Sequence, residues 1–193
     1  MKRKPIIISI IVIATLIAGL AYATGRQRYE TADYKVVETN GAFEIRAYRA
    51  LAVASTKMDN ENSGFGRLFK YIAGQNQTES KIAMTTPVFV SSDSKEKETM
   101  SFVLPYETAE AGAPEPKGAS VFLNKLRGGK FAVYRYAGRS SESRDTKALT
   151  KLQEWIVESG MEVKTASTPR FAYYDPPWTP GPFRRNEVMI EIR

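Results

Sequence analysis

The sequence predicts an α+β domain in which two related halves share one curved antiparallel sheet, or distorted β-barrel, with two helices packed on it. The first observation behind this is that strands, a helix and two further strands follow one another twice along the chain. The second is a proline near the strand after each helix, with Pro87 before Val88 and Pro169 before Arg170. Hydrophobic residues make up 42% of the 193 positions, which is enough for a folded core.

The first half begins with three predicted strands. Tyr34–Thr39 and Phe43–Tyr48 flank Asn40-Gly41, a dipeptide typical of tight hairpin turns. Apolar and polar residues alternate along the second strand, which indicates a half-buried antiparallel strand. Leu51–Met58 is the third strand, and the polar stretch that follows it separates the strands from a helix.

A short amphipathic helix is predicted over Gly64–Ala73. Its apolar positions recur at i, i+3, i+4 and i+7, which places them on one face. These positions are Phe65, Leu68, Phe69 and Ile72. Gly74 stands where helices are commonly closed. Two large aromatic side chains on a short helix are more often core residues than a ligand platform.

A ten-residue strand is predicted over Lys81–Val90, with the sequence KIAMTTPVFV. Pro87 cannot donate a ladder hydrogen bond, so we expect the strand to bend there or to lie at a sheet edge. Strand alternation places Ile82, Met84, Val88 and Val90 near one face, and Ala83, Thr85 and Phe89 near the other. A charged turn at Ser91–Glu98, a strand at Met100–Pro105 and a surface connection at Tyr106–Lys117 complete this half.

The second half repeats the same order of elements. Val121–Leu126 and Lys130–Ala137 flank Gly128-Gly129, which predicts a hairpin. The last two strands are Arg170–Tyr174 and Glu187–Ile192, joined by the proline-rich loop Asp175–Asn186.

The helix of the second half is predicted over Thr146–Ser159. Ser143 and Asp145 are candidate residues for its N-terminal cap, and Gly160 stands at its end. Its predicted buried face comprises Ala148, Leu149, Leu152, Trp155 and Ile156.

Residues 1–23 have the charge pattern of a segment that directs export. Lys2–Lys4 precede 18 uncharged residues, Ile6–Ala23. Ala21–Ala23 is similar to a signal-peptidase site, whereas the same 18 residues are long enough to span a bilayer. Both interpretations leave the positive end in the cytoplasm, so the domain is periplasmic or anchored to the inner membrane if the source is bacterial. We therefore expect a cleaved signal peptide or a retained transmembrane anchor at 1–23, a linker at 24–33 and the domain at 34–193.

The chain contains neither cysteine nor histidine. This excludes disulfides, thiolate nucleophiles, Ser-His-Asp catalysis and histidine-containing zinc sites. The carboxylates of Glu44, Glu79, Asp175 and Glu187 show no spacing that indicates a catalytic pair, so we predict no enzyme. Three positive charges of the +7 net charge lie at Lys2–Lys4. Because no basic run alternates with aromatic residues, we expect no nucleic-acid partner.

Three segments follow one another in a distinctive order: Lys70–Asn76 (KYIAGQN), Lys81–Val88 (KIAMTTPV) and Tyr174–Trp178 (YDPPW), the last followed by Arg184–Val188 (RRNEV). Together they resemble the SOUL haem-binding protein family. Their order and spacing match the family, and the resemblance extends from about Tyr29 to Arg193. It implies a distorted β-barrel of two related halves that binds haem or a related tetrapyrrole in a shallow apolar cleft beside the first helix.

The resemblance also implies which residues form that cleft. They are Phe65, Phe69 and Lys70 on the helix and Tyr174 from the strand opposite. Met84, on the strand after the helix, is a further candidate for the cleft by its position in the sequence. Phe65 and Phe69 would lie against a face of the macrocycle, and Lys70 would pair with a propionate. Lys70 as a solvated helix residue and Tyr174 as a buried ring are the structural alternatives.

The absence of histidine limits how this chain would ligate a haem iron, because some relatives are thought to use histidine. The candidates that remain are Met58, Met84, Tyr174 or a lysine, or no protein ligand at all. Weak, exchangeable ligation would suit a non-enzymatic carrier or buffer. The alternative is a binding module for another amphipathic small molecule, similar to bacterial effector-binding domains and without a haem function.

Overall fold

A computed structural model describes residues 29–58, 60–91, 98–165 and 167–193. The strands in these ranges are β1 (Glu30–Thr31), β2 (Tyr34–Asn40), β3 (Phe43–Tyr48), β4 (Leu51–Lys57), β5 (Thr85–Thr86), β6 (Val88–Ser91), β7 (Thr99–Val103), β8 (Phe122–Leu126), β9 (Gly129–Ala137), β10 (Arg170–Tyr173) and β11 (Arg185–Ile192). The helices are α1 (Glu61–Ile72), α2 (Tyr106–Ala111) and α3 (Glu142–Glu158), with a 3-10 turn at Gly181–Phe183.

Nine of these strands form one antiparallel sheet in the order β2-β3-β9-β11-β10-β6-β7-β4-β8. The order is symmetric about the boundary between β10 and β6, so that β10, β11 and β9 correspond to β6, β7 and β4. Each half also contributes one strand to the other half. Strand β3 of the first half pairs with β9 of the second, and strand β8 of the second half pairs with β4 of the first. The predicted curved sheet of two related halves is therefore confirmed.

Both faces of the sheet are buried. On the helix face, α1 packs with Ala54, Val90 and Phe102, and α3 packs with Ala132 and Val188. The opposite face, here called the inner face, carries a separate cluster that includes Val53, Phe89, Val133, Tyr174 and Met189. Neighbouring residues of one strand belong to different clusters, as the alternation of side chains along a strand requires.

Gly128 and Gly129 do not form the predicted hairpin, since β8 and β9 do not pair with each other. A Cβ atom on Gly128 would lie 2.6 Å from the carbonyl oxygen of Tyr48, and Gly129 has a φ of +156°. Because glycine has no Cβ atom, the chain can pass close to the turn between β3 and β4 as it runs from β8, at one edge of the sheet, to β9.

Helix α1 begins three residues earlier than predicted because the side chain of Asn60 caps it, accepting a hydrogen bond from the Ser63 N–H at 2.9 Å. The predicted apolar stripe is wrong in part. The buried residues of α1 are Gly64, Leu68, Tyr71 and Ile72. A Cβ atom on Gly64 would lie 2.9 Å from the Cβ of Met58, so the helix approaches the sheet through its glycine. Phe65 and Phe69 consequently remain on the solvent side.

The predicted strand at Lys81–Val90 is interrupted at Pro87, with β5 before it and β6 after it, and residues 81–84 are irregular. The strand β6 lies inside the sheet between β10 and β7, so Pro87 marks a break and not an edge. The predicted faces are confirmed for five of the seven residues, whereas Ala83 is exposed and Thr85 belongs to the separate β1-β5 sheet. Ile82, Met84, Val88 and Val90 pack on the helix face, and Phe89 packs on the inner face.

Helix α3 has the predicted buried face, with Ala148, Leu152, Trp155 and Ile156 buried and Leu149 half-buried. The predicted caps are wrong, because Ser141 caps the helix and accepts from the Arg144 N–H. Asp145 instead accepts hydrogen bonds from the hydroxyls of Tyr136 (2.6 Å) and Tyr173 (3.0 Å). This carboxylate ties the start of α3 to β9 and β10.

Residues 31–193 form one compact unit. Ala32, at the end of the predicted linker, is buried, and its N–H donates to the Thr86 carbonyl at 2.8 Å. The predicted segment 1–23 and most of the predicted turn Ser91–Glu98 lie outside the described residues. Within the described ranges, no helix has the length and apolar composition needed to cross a bilayer. The predicted surface connection Tyr106–Lys117 contains α2.

Candidate functional site

The outer surface of α1 carries two stacked aromatic rings. The centroids of Phe65 and Phe69 lie 6.0 Å apart with an interplanar angle of 15°. Phe65 also contacts the buried ring of Phe102 edge-on at 5.2 Å, which holds it in place. The two side chains are 36% and 51% exposed. Together they form an exposed apolar aromatic patch on α1.

Lys70 lies beside this pair in the last turn of α1. It is exposed and has no ion-pair partner among the described residues. Arg67, by contrast, is held against β4, since its Nε donates to Thr56 Oγ1 at 3.0 Å and its Nη2 donates to the Lys57 carbonyl. Lys70 is therefore the cation on α1 that is available to an anionic group.

The two methionines predicted as possible iron ligands differ in accessibility. Met58 is buried beneath Gly64. Met84 is half-buried and packs against the cluster that contains Phe102, the partner of Phe65. The thioether of Met84 is therefore the more accessible of the two sulfur atoms.

Tyr174 is not brought together with Phe65 and Phe69, because it lies on the inner face and is 7% exposed. Its hydroxyl donates to Glu187 Oε2 at 2.7 Å, and the guanidinium of Arg185 lies 3.7 Å from its ring centroid. Burial and the charge of Glu187 raise the pKa of Tyr174 well above its usual value. The preceding residue, Tyr173, points to the helix face instead and binds Asp145.

The inner face contains a buried ion cluster around Arg46, which is 1% exposed. Arg46 Nε donates to Glu44 at 2.6 Å, and its two terminal nitrogens donate to both oxygens of Glu187 at 2.7 and 2.9 Å. Burial opposes the charge of Arg46, but the hydrogen bonds and charge of Glu187 outweigh it and raise the pKa of the guanidinium. Tyr48 and Tyr34 complete the surroundings of Arg46. Because every polar group here has a partner, we assign the cluster to structure.

Several residues of the family-like segments have structural contacts that explain them. Asn76 is fully buried, and its side chain donates to the carbonyls of Tyr71 (3.1 Å) and Ser80 (2.7 Å), closing the end of α1. Arg184 donates to the carbonyls of Thr179 and Pro177 and so braces the proline-rich loop. These motifs thus specify the fold around the site, whereas Phe65 and Phe69 lie outside them.

No group of three or more acidic side chains in the described ranges is placed to hold a metal ion. Among the predicted site residues, Phe65, Phe69 and Lys70 are exposed on α1, and Met84 is half-buried. Aromatic faces, an ammonium and a thioether are groups that can contact a macrocycle, an acidic substituent and an iron atom, respectively.

The structure thus shows an α+β protein with a curled antiparallel sheet of two related halves and an exposed aromatic pair on its first helix. The chain belongs to the SOUL heme-binding protein family, whose model matches residues 29–191. It is 29% identical to heme-binding protein 2 of Homo sapiens over 158 residues, covering 74% of this chain and 77% of that protein. The heme-binding protein 2 of Mus musculus is 28% identical over 158 residues, which cover 74% of this chain and 77% of that protein. The predicted family is thereby confirmed, and membership supports binding of haem or a related tetrapyrrole.

Solved structures with much lower identity share the fold. The C-terminal domain of EcmrR aligns with a TM-score of 0.56 at 13% identity, covering 83% of this chain and 98% of that one. An uncharacterized conserved protein from Listeria innocua aligns with a TM-score of 0.57 at 12% identity, covering 78% and 92%. At these identities the similarity concerns architecture alone.

Proposed function

We propose that this protein binds haem, or a related tetrapyrrole, on the outer surface of α1 and acts as a non-enzymatic carrier or buffer. The observation that carries the proposal is the exposed stack of Phe65 and Phe69. Apolar rings that face water are unfavourable, and a planar ligand that covers them would remove that cost. Family membership supports the same class of ligand.

Each residue of the surface has a distinct role in this proposal. Phe65, fixed against Phe102, provides the inner part of the platform, and Phe69 provides its outer edge. Lys70 pairs with an acidic substituent of the macrocycle. Haem supplies redox-active iron when bound, and Met84 is the candidate protein ligand to it. A single thioether is a weak ligand, which favours reversible release.

The test is a titration of the full chain with hemin, followed by Soret absorbance. We expect Phe69→Ala to weaken binding roughly tenfold, because the aromatic contact and its apolar area are lost. Lys70→Ala should weaken it about two- to fivefold, as expected for one exposed ion pair. Met84→Leu should shift the Soret maximum more than it changes affinity.

Two controls separate the site from general adsorption. Gln153→Ala changes an exposed residue of α3, and Tyr174→Phe changes the inner face; both should leave hemin affinity unchanged. Equal affinity of the wild type and a Phe65→Ala/Phe69→Ala double variant would move the site elsewhere. An unchanged hemin spectrum at micromolar protein would refute haem binding itself.

We also propose that residues 1–23 export the domain or anchor it to a membrane, on the basis of the Lys2–Lys4 cluster and the uncharged stretch after it. Cell fractionation followed by intact-mass measurement tests this. A mature chain that lacks the segment indicates cleavage, and a full-length chain in the membrane fraction indicates an anchor. A full-length chain found in the cytosol would contradict export.

A further inference from the structure

A second concave site lies between α2 and the β4–β8 edge of the sheet. It is a depression of about 260 Å³ that is largely open to solvent, and it is called the cavity below. The side chains that matter for its chemistry are Ala52, Leu104, Ala109, Ala113, Leu123 and Lys125. None of the residues of the proposed haem surface lines it, so it is a separate place on the molecule.

The cavity exists because small side chains meet where α2 covers the sheet. Ala52, Ala109 and Ala113 each contribute only a methyl group. Helix α2 buries none of its own residues and has no side-chain cap at its start, so it lies loosely beside the strands and leaves the space next to them unfilled. The Leu104 N–H donates to the Ala52 carbonyl at 2.9 Å and closes the base of the cavity.

The one charged side chain that lines the cavity is positive. Ala52 pairs with Lys125, and Ala54 pairs with Leu123, so Lys125 lies on the same face of the sheet as the apolar lining. Lys125 is exposed and forms no ion pair with any described residue. The neighbouring Asn124 is engaged on the other face, where its Oδ1 accepts from Ser55 Oγ at 3.3 Å. The residues that line the cavity are thus mostly apolar, with one cation, one amide and no carboxylate among them.

We propose that this cavity binds a short alkyl carboxylate, of the size of a medium-chain fatty acid, with its carboxylate at Lys125. The alkyl chain would lie among the three alanines, Leu104 and Leu123. The volume falls below the roughly 300–1,000 Å³ of pockets for drug-sized ligands, which argues for a smaller molecule. The inference does not rest on the haem proposal, because the two sites share no residue.

The experiment is a titration of the full chain with octanoate, methyl octanoate and octylamine, followed by amide chemical shifts of β4, β8 and α2. We expect saturable shifts with octanoate and at least fivefold weaker binding of the two probes that lack a negative charge. Lys125→Gln should weaken octanoate binding by about the same factor. Ala109→Leu should abolish it by filling the cavity. Lys147→Gln, an exposed lysine of α3, is the matched control and should change nothing.

Four outcomes would overturn the proposal. Equal binding of octanoate and octylamine would show that the site does not distinguish the charge of the ligand. The absence of chemical-shift changes with all three probes would show that the cavity binds none of these ligands. Undiminished octanoate binding in Ala109→Leu would place it elsewhere. If Ala109→Leu does not fold, the comparison of the probes in the wild type and Lys125→Gln still decides the question. Hemin bound at α1 should not displace octanoate; displacement would contradict a separate site.

Discussion

The two helices α1 and α3 occupy equivalent places in the repeat, yet only α1 presents aromatic rings to solvent. Their buried residues follow the same spacing: Gly64, Leu68, Tyr71 and Ile72 in α1, and Ala148, Leu152, Trp155 and Ile156 in α3. Aligned on this spacing, Phe65 and Phe69 correspond to Leu149 and Gln153. The packing positions are thus shared between the halves, and the candidate binding residues are an addition to one of them.

The large aromatic side chain of α3 has a different role. Trp155 is buried and stacks on Phe43 at a centroid distance of 4.9 Å. In α1 the equivalent position is Tyr71, also buried, with its hydroxyl donating to the Pro114 carbonyl at 2.8 Å. The comparison therefore indicates that Tyr71 and Trp155 serve stability, and it leaves Phe65 and Phe69 as the exposed residues on which the proposed binding depends.

The largest effect is expected from Trp155→Ala. It removes a buried aromatic ring and should lower the free energy of unfolding by about 3–5 kcal/mol. Urea denaturation followed by circular dichroism measures this. Hemin affinity of the folded variant should be unchanged, because Trp155 does not contact α1. A loss below about 1 kcal/mol would contradict the structural role of α3.

A smaller and more discriminating effect comes from two adjacent residues of α1. Leu68→Ala should lower the free energy of unfolding by about 2–5 kcal/mol, since Leu68 is fully buried. Phe69→Gln, which gives α1 the residue type that α3 has at position 153, should change it by less than about 0.5 kcal/mol. Phe69→Gln should weaken hemin binding, whereas Leu68→Ala should leave the hemin affinity of the folded protein nearly unchanged. A strongly destabilised Phe69→Gln would mean that the exposed ring is a packing residue after all.

The smallest effect concerns alkaline pH. Burial, followed by the charge of Glu115, raises the pKa of Tyr71 to about 12. Because the fold favours the neutral hydroxyl, its contribution is complete below a pH of about 10, the usual tyrosine pKa, and is lost as the pH rises towards 12. Urea titrations across this window should show a shallower loss of stability in Tyr71→Phe than in the wild type. Identical slopes would contradict the raised pKa. Trp155, the equivalent residue of α3, does not titrate.

Local patterns in the sequence were sufficient for much of the fold. The period of two along residues 82–90 assigned side chains to the correct faces even where the backbone is irregular. The helical period of α3 identified its buried face, and the repeated order of elements indicated the two related halves. These features depend on neighbours within a few residues along the chain, so their physical cause is present in the sequence itself.

The candidate site was harder to predict because it consists of apolar side chains that stay exposed to solvent, whereas the helical period predicts that they are buried. Phe65 and Phe69 continue the apolar stripe of α1, and only the close approach at Gly64 shows that the helix is rotated to leave them outside. Aligning the two helices on their shared spacing would have given the signal. Tyr174 and Tyr173 show the same difficulty, since a shift of one residue along β10 changes the face.

What the sequence alone determined is most of the longer elements, the face of most strands and the family. Tertiary structure alone decided the exchange of β3 and β8 between halves, the rotation of α1 and the burial of Arg46 between Glu44 and Glu187. The alternation in β3 left open which face is buried, and its charged face is the buried one. The reason is that a charge can be buried only when partners from distant strands neutralise it, and such partners are brought together only by the folded chain.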